Sequence, residues 1–101
     1  MSITYDTLYQ DEERAVEITI RNQDDDDFIP SSAYAAIYDD DDGEVKAEQP
    51  CMSVDNKIYI MVDSTVTAIP GKYKIIWRIM KIVGSLTYKF FHKTELTIKE
   101  L

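Results

Sequence analysis

The sequence predicts an all-β fold: an antiparallel immunoglobulin-like β-sandwich of about seven strands that ends in a long C-terminal hairpin. Short runs rich in β-branched and aromatic residues recur along the chain, separated by turn signals at intervals of about 8–12 residues. Residues 72–101 contain two long strand-like runs around one short connection. A chain of 101 residues is close to the commonest domain size, so residues 1–101 are predicted to form a single domain.

The predicted strands follow from apolar alternation and from the turn residues that bound each run. Residues 33–38 lie between two turn signals, and six residues are too few for a helix even though three alanines favour one. Pro50 interrupts a weakly patterned stretch because proline cannot donate to a strand ladder. Asp42-Gly43 accepts the positive φ of a tight hairpin turn. The predicted strands are residues 3–9, 15–21, 33–38, 57–63, 73–80 and 86–99, with the weak stretch at 45–52.

The Pro70-Gly71 turn and the tyrosine after it are typical of immunoglobulin-like sandwiches. Tyr73 stands where the next strand begins, two residues before Ile75, which is the arrangement of a tyrosine corner. We therefore expect its ring to pack on the edge of the core and its hydroxyl to bond back to the preceding connection. The residues predicted to form the structural core are Tyr73, Ile75, Trp77, Ile18 and Ile60.

Charge is divided unevenly along this chain, whose net charge is −8. Residues 1–71 hold four basic residues against seventeen acidic ones, whereas residues 72–101 hold seven basic residues against two acidic ones. Such a split suits contacts between unlike faces of neighbouring copies or partners, although lysines also serve simply to solubilise a sheet face. The acidic total disfavours nucleic acid as a partner.

Cysteine usage and hydropathy indicate an intracellular folding compartment. The lone Cys51 cannot form an internal disulfide and is expected to be a small buried hydrophobe rather than a reactive thiol. Residues 1–6 lack the basic and apolar regions of a signal peptide. No apolar run approaches the ~18 residues that a membrane span needs, so no membrane association is expected.

Two runs of four aspartates, residues 24–27 and 39–42, invite comparison with calcium loops, because hard cations prefer carboxylate oxygens. An EF-hand-type loop fits Asp40 and Asp42 but lacks the bidentate glutamate that its last position needs. Solvated turns are therefore favoured. If both runs lie at the same end of the sandwich, they could still form an irregular cation site that includes Asp40 and Asp42. We expect no metal and no cofactor.

Residues that could support catalysis are sparse. His92 is the only histidine, and no nucleophile or orienting acid is spaced to work with it, so a packed or hydrogen-bonded sheet residue is expected. Trp77, Tyr88, Phe90 and Phe91 could form a sugar-stacking platform, but their places on paired long strands favour core packing. An enzyme is not expected.

Four segments carry a family resemblance: Ile3–Tyr9, the hairpin Ile37–Gly43, the turn and strand Pro70–Trp77, and the ending Tyr88–Ile98. Together they resemble the small immunoglobulin-like structural proteins of tailed bacteriophages, which are made alongside capsid and head–tail joining components. The likeness covers nearly the whole chain but rests on features of the fold, not on a functional signature. It implies a component of the virion, made and assembled in the host cytoplasm, with no catalytic residues to transfer.

The function that this resemblance implies is that of a non-enzymatic virion structural protein, a capsid decoration or head–tail (neck) component acting through protein–protein contacts. Its partners would be capsid, portal-region or tail proteins and copies of itself. The predicted interface residues are Lys89, Phe91, Lys93 and Lys99. The alternatives are a tail or baseplate component, a host-glycan-binding immunoglobulin-like module, and an acidic nucleic-acid mimic that acts as an inhibitor. The basic C-terminal segment argues against the mimic.

Overall fold

Eight strands and one short helix form the regular structure of the computed structural model, which describes residues 2–20 and 30–101. The strands are β1 (Ser2–Tyr9), β2 (Arg14–Thr19), β3 (Ser32–Asp39), β4 (Glu44–Pro50), β5 (Met52–Val54), β6 (Lys57–Val62), β7 (Gly71–Val83) and β8 (Leu86–Lys99). The helix α1 (Ser64–Thr67) lies between β6 and β7. The all-β prediction is confirmed, while the predicted end of the second strand at Arg21 lies outside the described residues.

The strands form two sheets that enclose one core. The larger sheet has the order β1-β8-β7-β3-β4 and the smaller one the order β2-β6-β5. In the larger sheet, β8 and β7 lie between β1 and β3. This arrangement of two sheets is that of an immunoglobulin-like sandwich, with β4 as an additional strand beside β3. The predicted first strand is therefore confirmed and lies at one edge of the larger sheet, and the closing hairpin is confirmed too.

One pairing departs from the predicted antiparallel arrangement. β1 runs parallel to β8, from Ser2 beside His92 to Tyr9 beside Lys99, whereas all other described pairings are antiparallel. A parallel pair cannot be closed by a short turn, but β1 and β8 are the first and last strands, with the whole sandwich as their connection.

Strict alternation along the long hairpin builds the core. In β7, Tyr73, Ile75, Trp77 and Ile79 are all buried, and each is followed by a partly exposed residue. In β8 the even-numbered residues from His92 to Ile98 are buried in the same way. The smaller sheet supplies the opposite wall, with the buried residues Val16, Ile18, Ile58, Ile60 and Val62. All five predicted core residues are buried, so that prediction is confirmed.

The tyrosine corner is present. The hydroxyl of Tyr73 donates a hydrogen bond to the carbonyl oxygen of Ile69 at 2.5 Å, four residues back in the preceding connection. Burial, aided by the Asp39 carboxylate, raises the pKa of Tyr73 above its ordinary value, so the hydroxyl keeps the proton that it donates. This bond ties the β6–β7 connection to the start of β7.

Two local elements differ from the sequence-based prediction. The weak stretch around Pro50 forms an edge strand, β4, and then the short β5 in the other sheet. Proline is tolerated there because an edge strand has one side free of ladder bonds. Residues 64–67 form one helical turn, α1, whose first amides are capped by the Asp63 side chain accepting from Thr65 N at 3.0 Å. No helix among the described residues is long and apolar enough to cross a membrane.

The acidic turn between β3 and β4 forms as predicted. Asp42 adopts φ 64°, which is the left-handed conformation that the Asp42-Gly43 dipeptide predicts. The Asp39 carboxylate accepts from the amides of Asp41 at 3.0 Å and Gly43 at 2.7 Å. The first aspartate of the run therefore holds the turn together.

Candidate interaction surface

β7 and β8 extend beyond the strands that flank them. β3 pairs with β7 only as far as Met80, and β1 pairs with β8 only from His92 onward. Ser31 gives the last described support, accepting from the Ile82 amide through its hydroxyl at 3.0 Å. Residues 81–88 therefore form a two-stranded projection that reaches about 10 Å past Met80, and residues 89–91 lie beside it on the edge of β8 that β1 does not cover; the whole stretch 81–91 is here called the arm.

The arm is strongly apolar and exposed. All its residues from Ile82 to Phe91 are exposed. Its large apolar side chains and their exposed fractions are Ile82 58%, Val83 53%, Leu86 58%, Tyr88 46%, Phe90 44% and Phe91 47%. Scattered exposed apolar residues need no explanation, but a contiguous cluster of this kind marks an interaction site.

Both faces of the arm contribute to this surface. Pairing places Val83 opposite Leu86, on the face that continues the core row of Trp77. Ile82 and Phe91 lie on the other face, which continues the outer surface of the larger sheet. The arm thus presents apolar side chains in two directions.

Part of the aromatic prediction is wrong. Core packing is confirmed for Trp77, which is 0% exposed and so cannot stack on a sugar. Tyr88, Phe90 and Phe91 are instead exposed, and they lie on the part of β8 that is paired with β7 but not with β1. Of the four predicted residues, these three have the exposure that the glycan-binding alternative needs.

The predicted interface residues fall into two places. Lys89, Phe91 and Lys93 follow one another on the outer face of β8, at or beside the arm. Lys99 shares that face but lies at the other end of β8, about 20 Å from Lys93 along the strand. The structure therefore groups three of the four residues and separates the fourth.

Acidic neighbours engage several basic residues of the C-terminal segment. Lys74 pairs with Asp42, and Arg78 pairs with Glu48. Lys93 pairs with Glu95 at 2.8 Å. These ion pairs are exposed and contribute little to stability, but they reduce the positive potential of the outer face. The uneven charge of the sequence therefore does not become one uniformly basic face.

The arm contains basic residues and no acidic ones. No acidic residue stands between Asp63 and Glu95 in the sequence, while Lys81 and Lys89 lie in the arm. Lys89 is exposed and pairs across the hairpin with Met80. The arm is thus an apolar surface with basic charge and no carboxylate of its own.

The acidic turn does not form the suggested cation site within the described residues. Asp40 is exposed, and Asp42 is paired with Lys74. No group of three or more His, Cys, Asp or Glu side chains among residues 2–20 and 30–101 is placed to hold a metal ion. The other run, residues 24–27, lies outside the described residues.

His92 belongs to a hydrogen-bonded chain, as predicted for a sheet residue. Its Nε2 lies 2.9 Å from the Thr4 hydroxyl, which lies 2.9 Å from the Thr94 hydroxyl. Trp77 Nε1 donates to that same Thr94 hydroxyl at 2.9 Å. The chain connects β1, β8 and β7, so it satisfies the buried indole N–H and holds the parallel edge strand in register.

The free energy of unfolding is expected to depend on the protonation of His92. Burial lowers the pKa of His92 below its ordinary value of 6.5. The contribution of neutral His92 to the free energy of unfolding is therefore fully present above pH 6.5. It is lost as the pH falls through the lower pKa of the folded state, because the unfolded chain binds the proton more tightly.

Urea unfolding at about pH 7.5 and about pH 5 tests this dependence. The wild type should lose more stability between the two pH values than His92→Gln, since carboxylates contribute equally to both chains. An equal loss in both chains would contradict the assignment.

Cys51 is half-buried and packs against the core, as predicted. Burial, with a smaller contribution from the Glu48 carboxylate, raises the pKa of its thiol to about 12. The thiolate that reacts with electrophiles and metals is therefore scarce at neutral pH.

A depression of about 460 Å³ lies on the outer face of the larger sheet. It is lined by Tyr38, Asp42, Lys74, Ile76 and Lys93. Both lysines are engaged in ion pairs, with Asp42 and Glu95. The arm, by contrast, offers contiguous exposed apolar side chains, and it is the stronger candidate for a functional surface.

No protein-family model matches this chain. A search of curated proteins finds no match either. The class that the topology defines is an immunoglobulin-like β-sandwich with a projecting C-terminal hairpin.

Proposed function

We propose that this chain is a non-enzymatic structural protein of a tailed-phage virion that acts through protein–protein contacts made by its arm. The observation that carries the proposal is the contiguous apolar surface of the arm on a small sandwich. A two-stranded ribbon that exposes both faces gains most of its stabilisation by burying them against a partner. The resemblance to phage structural proteins supplies the setting, a capsid-decorating or neck position.

The outer face of β8 supports the same proposal. Phe91 lies between Lys89 and Lys93, so an exposed aromatic ring is flanked on one face by two basic side chains, of which Lys93 also pairs with Glu95. Aromatic anchors with polar surroundings are the usual composition of contact surfaces. This face would meet a partner surface with apolar residues and carboxylates, as the sites on a capsid, portal-region or tail protein would have to provide.

Charge reversal tests this assignment. Particles assembled with K89E/K93E in place of the wild-type chain are expected to carry about ten-fold fewer copies, because the variant repels the carboxylates of the partner. Occupancy is measured by quantitative mass spectrometry of gradient-purified particles. The matched control is Lys99→Glu, on the same face at the far end of β8, which should leave occupancy unchanged.

Two results would count against the proposal in different ways. If the wild-type chain is absent from purified particles, the virion assignment is wrong. If it is present and K89E/K93E incorporates normally, the contact lies elsewhere on the molecule.

A further inference from the structure

A second exposed apolar surface lies on the outside of the smaller sheet. Outward-facing residues of β6 alternate with the buried Ile58, Ile60 and Val62. Pairing places Met61 beside Ala15, and Tyr59 beside both Glu17 and Met52. The surface formed by Ala15, Met52, Val54, Tyr59 and Met61 is here called the β6 patch. Met52, Val54 and Met61 are 57%, 56% and 48% exposed.

The charges around the β6 patch are opposite in sign to those of the arm. Glu17 lies within the patch on β2, and Asp55 directly follows β5. Glu13 precedes β2, and all three carboxylate residues are exposed. Lys57 is the one basic residue on the outer face of the three strands. The patch therefore has an acidic border, while the arm has lysines and no acidic residue.

The two surfaces also match in size. The arm is two strands wide and about 10 Å long past Met80. The patch spans three strands, about 10 Å across, and six residues of β6, about 20 Å long. The arm can therefore lie along β6 with Leu86 and Val83 against the exposed methionines.

We infer that the arm of one copy docks on the β6 patch of a second copy. The inference rests on the proposed structural function and adds to it a contact between copies, made by the face of the arm that carries Val83 and Leu86. Arm on arm would bring the lysines of both copies together, and patch on patch would bring their carboxylates together. Arm on patch buries both apolar surfaces and places the arm, which has two lysines and no carboxylate, against the acidic border of the patch. Lys81 shares the face of Val83 and Leu86, whereas Lys89 lies on the opposite face.

Because the contact joins two different surfaces, each copy keeps one of them free after pairing. Such a head-to-tail contact propagates from copy to copy and closes a ring or continues as a row, depending on the rotation between neighbours. The surfaces are small, so a single contact is expected to be weak, with Kd of about 0.1–1 mM. Copies held side by side on a particle would be stabilised by their high effective concentration.

Two variants at exposed positions separate the surfaces. Leu86→Asp places a carboxylate on the arm, and Met61→Lys places a cation in the β6 patch. Amide spectra of the wild type should change with concentration up to about 1 mM, at residues of both surfaces. Each variant alone should lose this dependence while keeping the dispersed spectrum of the folded domain. Tyr5→Asp, at a side chain that is 78% exposed on β1, is the control and should behave as the wild type.

Mixing the variants gives the decisive result. Isotope-labelled Leu86→Asp has an intact patch, so adding unlabelled Met61→Lys, which has an intact arm, should shift amides near residues 52–61. Adding unlabelled Leu86→Asp instead should shift none.

Three outcomes would overturn the inference: no concentration dependence in the wild type, no shifts in the mixture, or self-association of Met61→Lys alone. The experiment uses purified chains, so its result is independent of whether the protein is found in particles.

Discussion

Replacing Trp77 with alanine is expected to lower the free energy of unfolding by about 3–5 kcal/mol. The indole is 0% exposed at the centre of β7 and packs in the core between the two sheets. Its removal leaves a cavity, and it also takes away the donor to the buried Thr94 hydroxyl. Since small domains have total stabilities of about 5–15 kcal/mol, this variant should be close to unfolding at physiological temperature.

Chemical denaturation measures this loss, and two variants calibrate it. Trp77→Phe keeps most of the apolar volume but not the N–H, so a loss of about 1–2 kcal/mol is expected. Phe91→Ala truncates a ring of similar size on the neighbouring strand, where it is 47% exposed, and should cost less than about 1 kcal/mol. Equal losses at Trp77 and Phe91 would contradict the division between core and arm.

Replacing Leu8 with alanine is expected to cost about 2–5 kcal/mol. Leu8 is 0% exposed although it belongs to an edge strand, and it lies beside Ile98 in the parallel pairing of β1 with β8. Its side chain is the main apolar contribution of β1 to the core cluster. The variant should loosen the first strand as well as lower the stability of the whole domain.

Thermal unfolding together with amide exchange of residues 2–9 would reveal both effects. Tyr5→Ala is the control on the same strand, since Tyr5 is 78% exposed and should change stability by less than about 0.5 kcal/mol. If Leu8→Ala were as harmless as Tyr5→Ala, β1 would not be an integral part of the sandwich.

Much of the fold could be predicted from local patterns. Alternation in β7 and β8 identifies the buried row that contains Ile75 and Trp77, and Pro70-Gly71 before Tyr73 identifies the tyrosine corner. Asp42-Gly43 identifies the β3–β4 turn. These features depend on residues close together in the chain, so sequence contains the necessary information.

The arm could not be predicted in the same way. Tyr88 and Phe90 continue the even-numbered row of His92 and Leu96, so the alternation is the same inside and outside the sandwich. Whether a residue in this row is buried depends on where β1 and β3 end, which is a property of distant parts of the chain. The β6 patch was missed for a related reason, since its residues lie on three strands.

The charge pattern of the sequence predicts that the C-terminal segment is basic, but it does not predict where on the folded protein the basic surface lies. Counting charges along the sequence assigns a basic character to the C-terminal segment, yet Lys74 and Arg78 are paired with Asp42 and Glu48 from the β3–β4 hairpin. The separation of Lys99 from Lys93, by contrast, follows from their six-residue spacing on one strand. The fold thus places carboxylates beside Lys74 and Arg78 on the outer face, whereas the arm has two lysines and no acidic residue.

Hydrogen exchange of residues 81–91 in the free protein and in assembled particles tests the central claim most directly. In the free protein the edge amides of the arm should exchange quickly, because β1 and β3 do not extend over them. Assembly should slow their exchange by at least about ten-fold, while the buried amides of residues 73–79 change little. Fast exchange of the arm in particles that contain the protein would contradict its role as the contact surface.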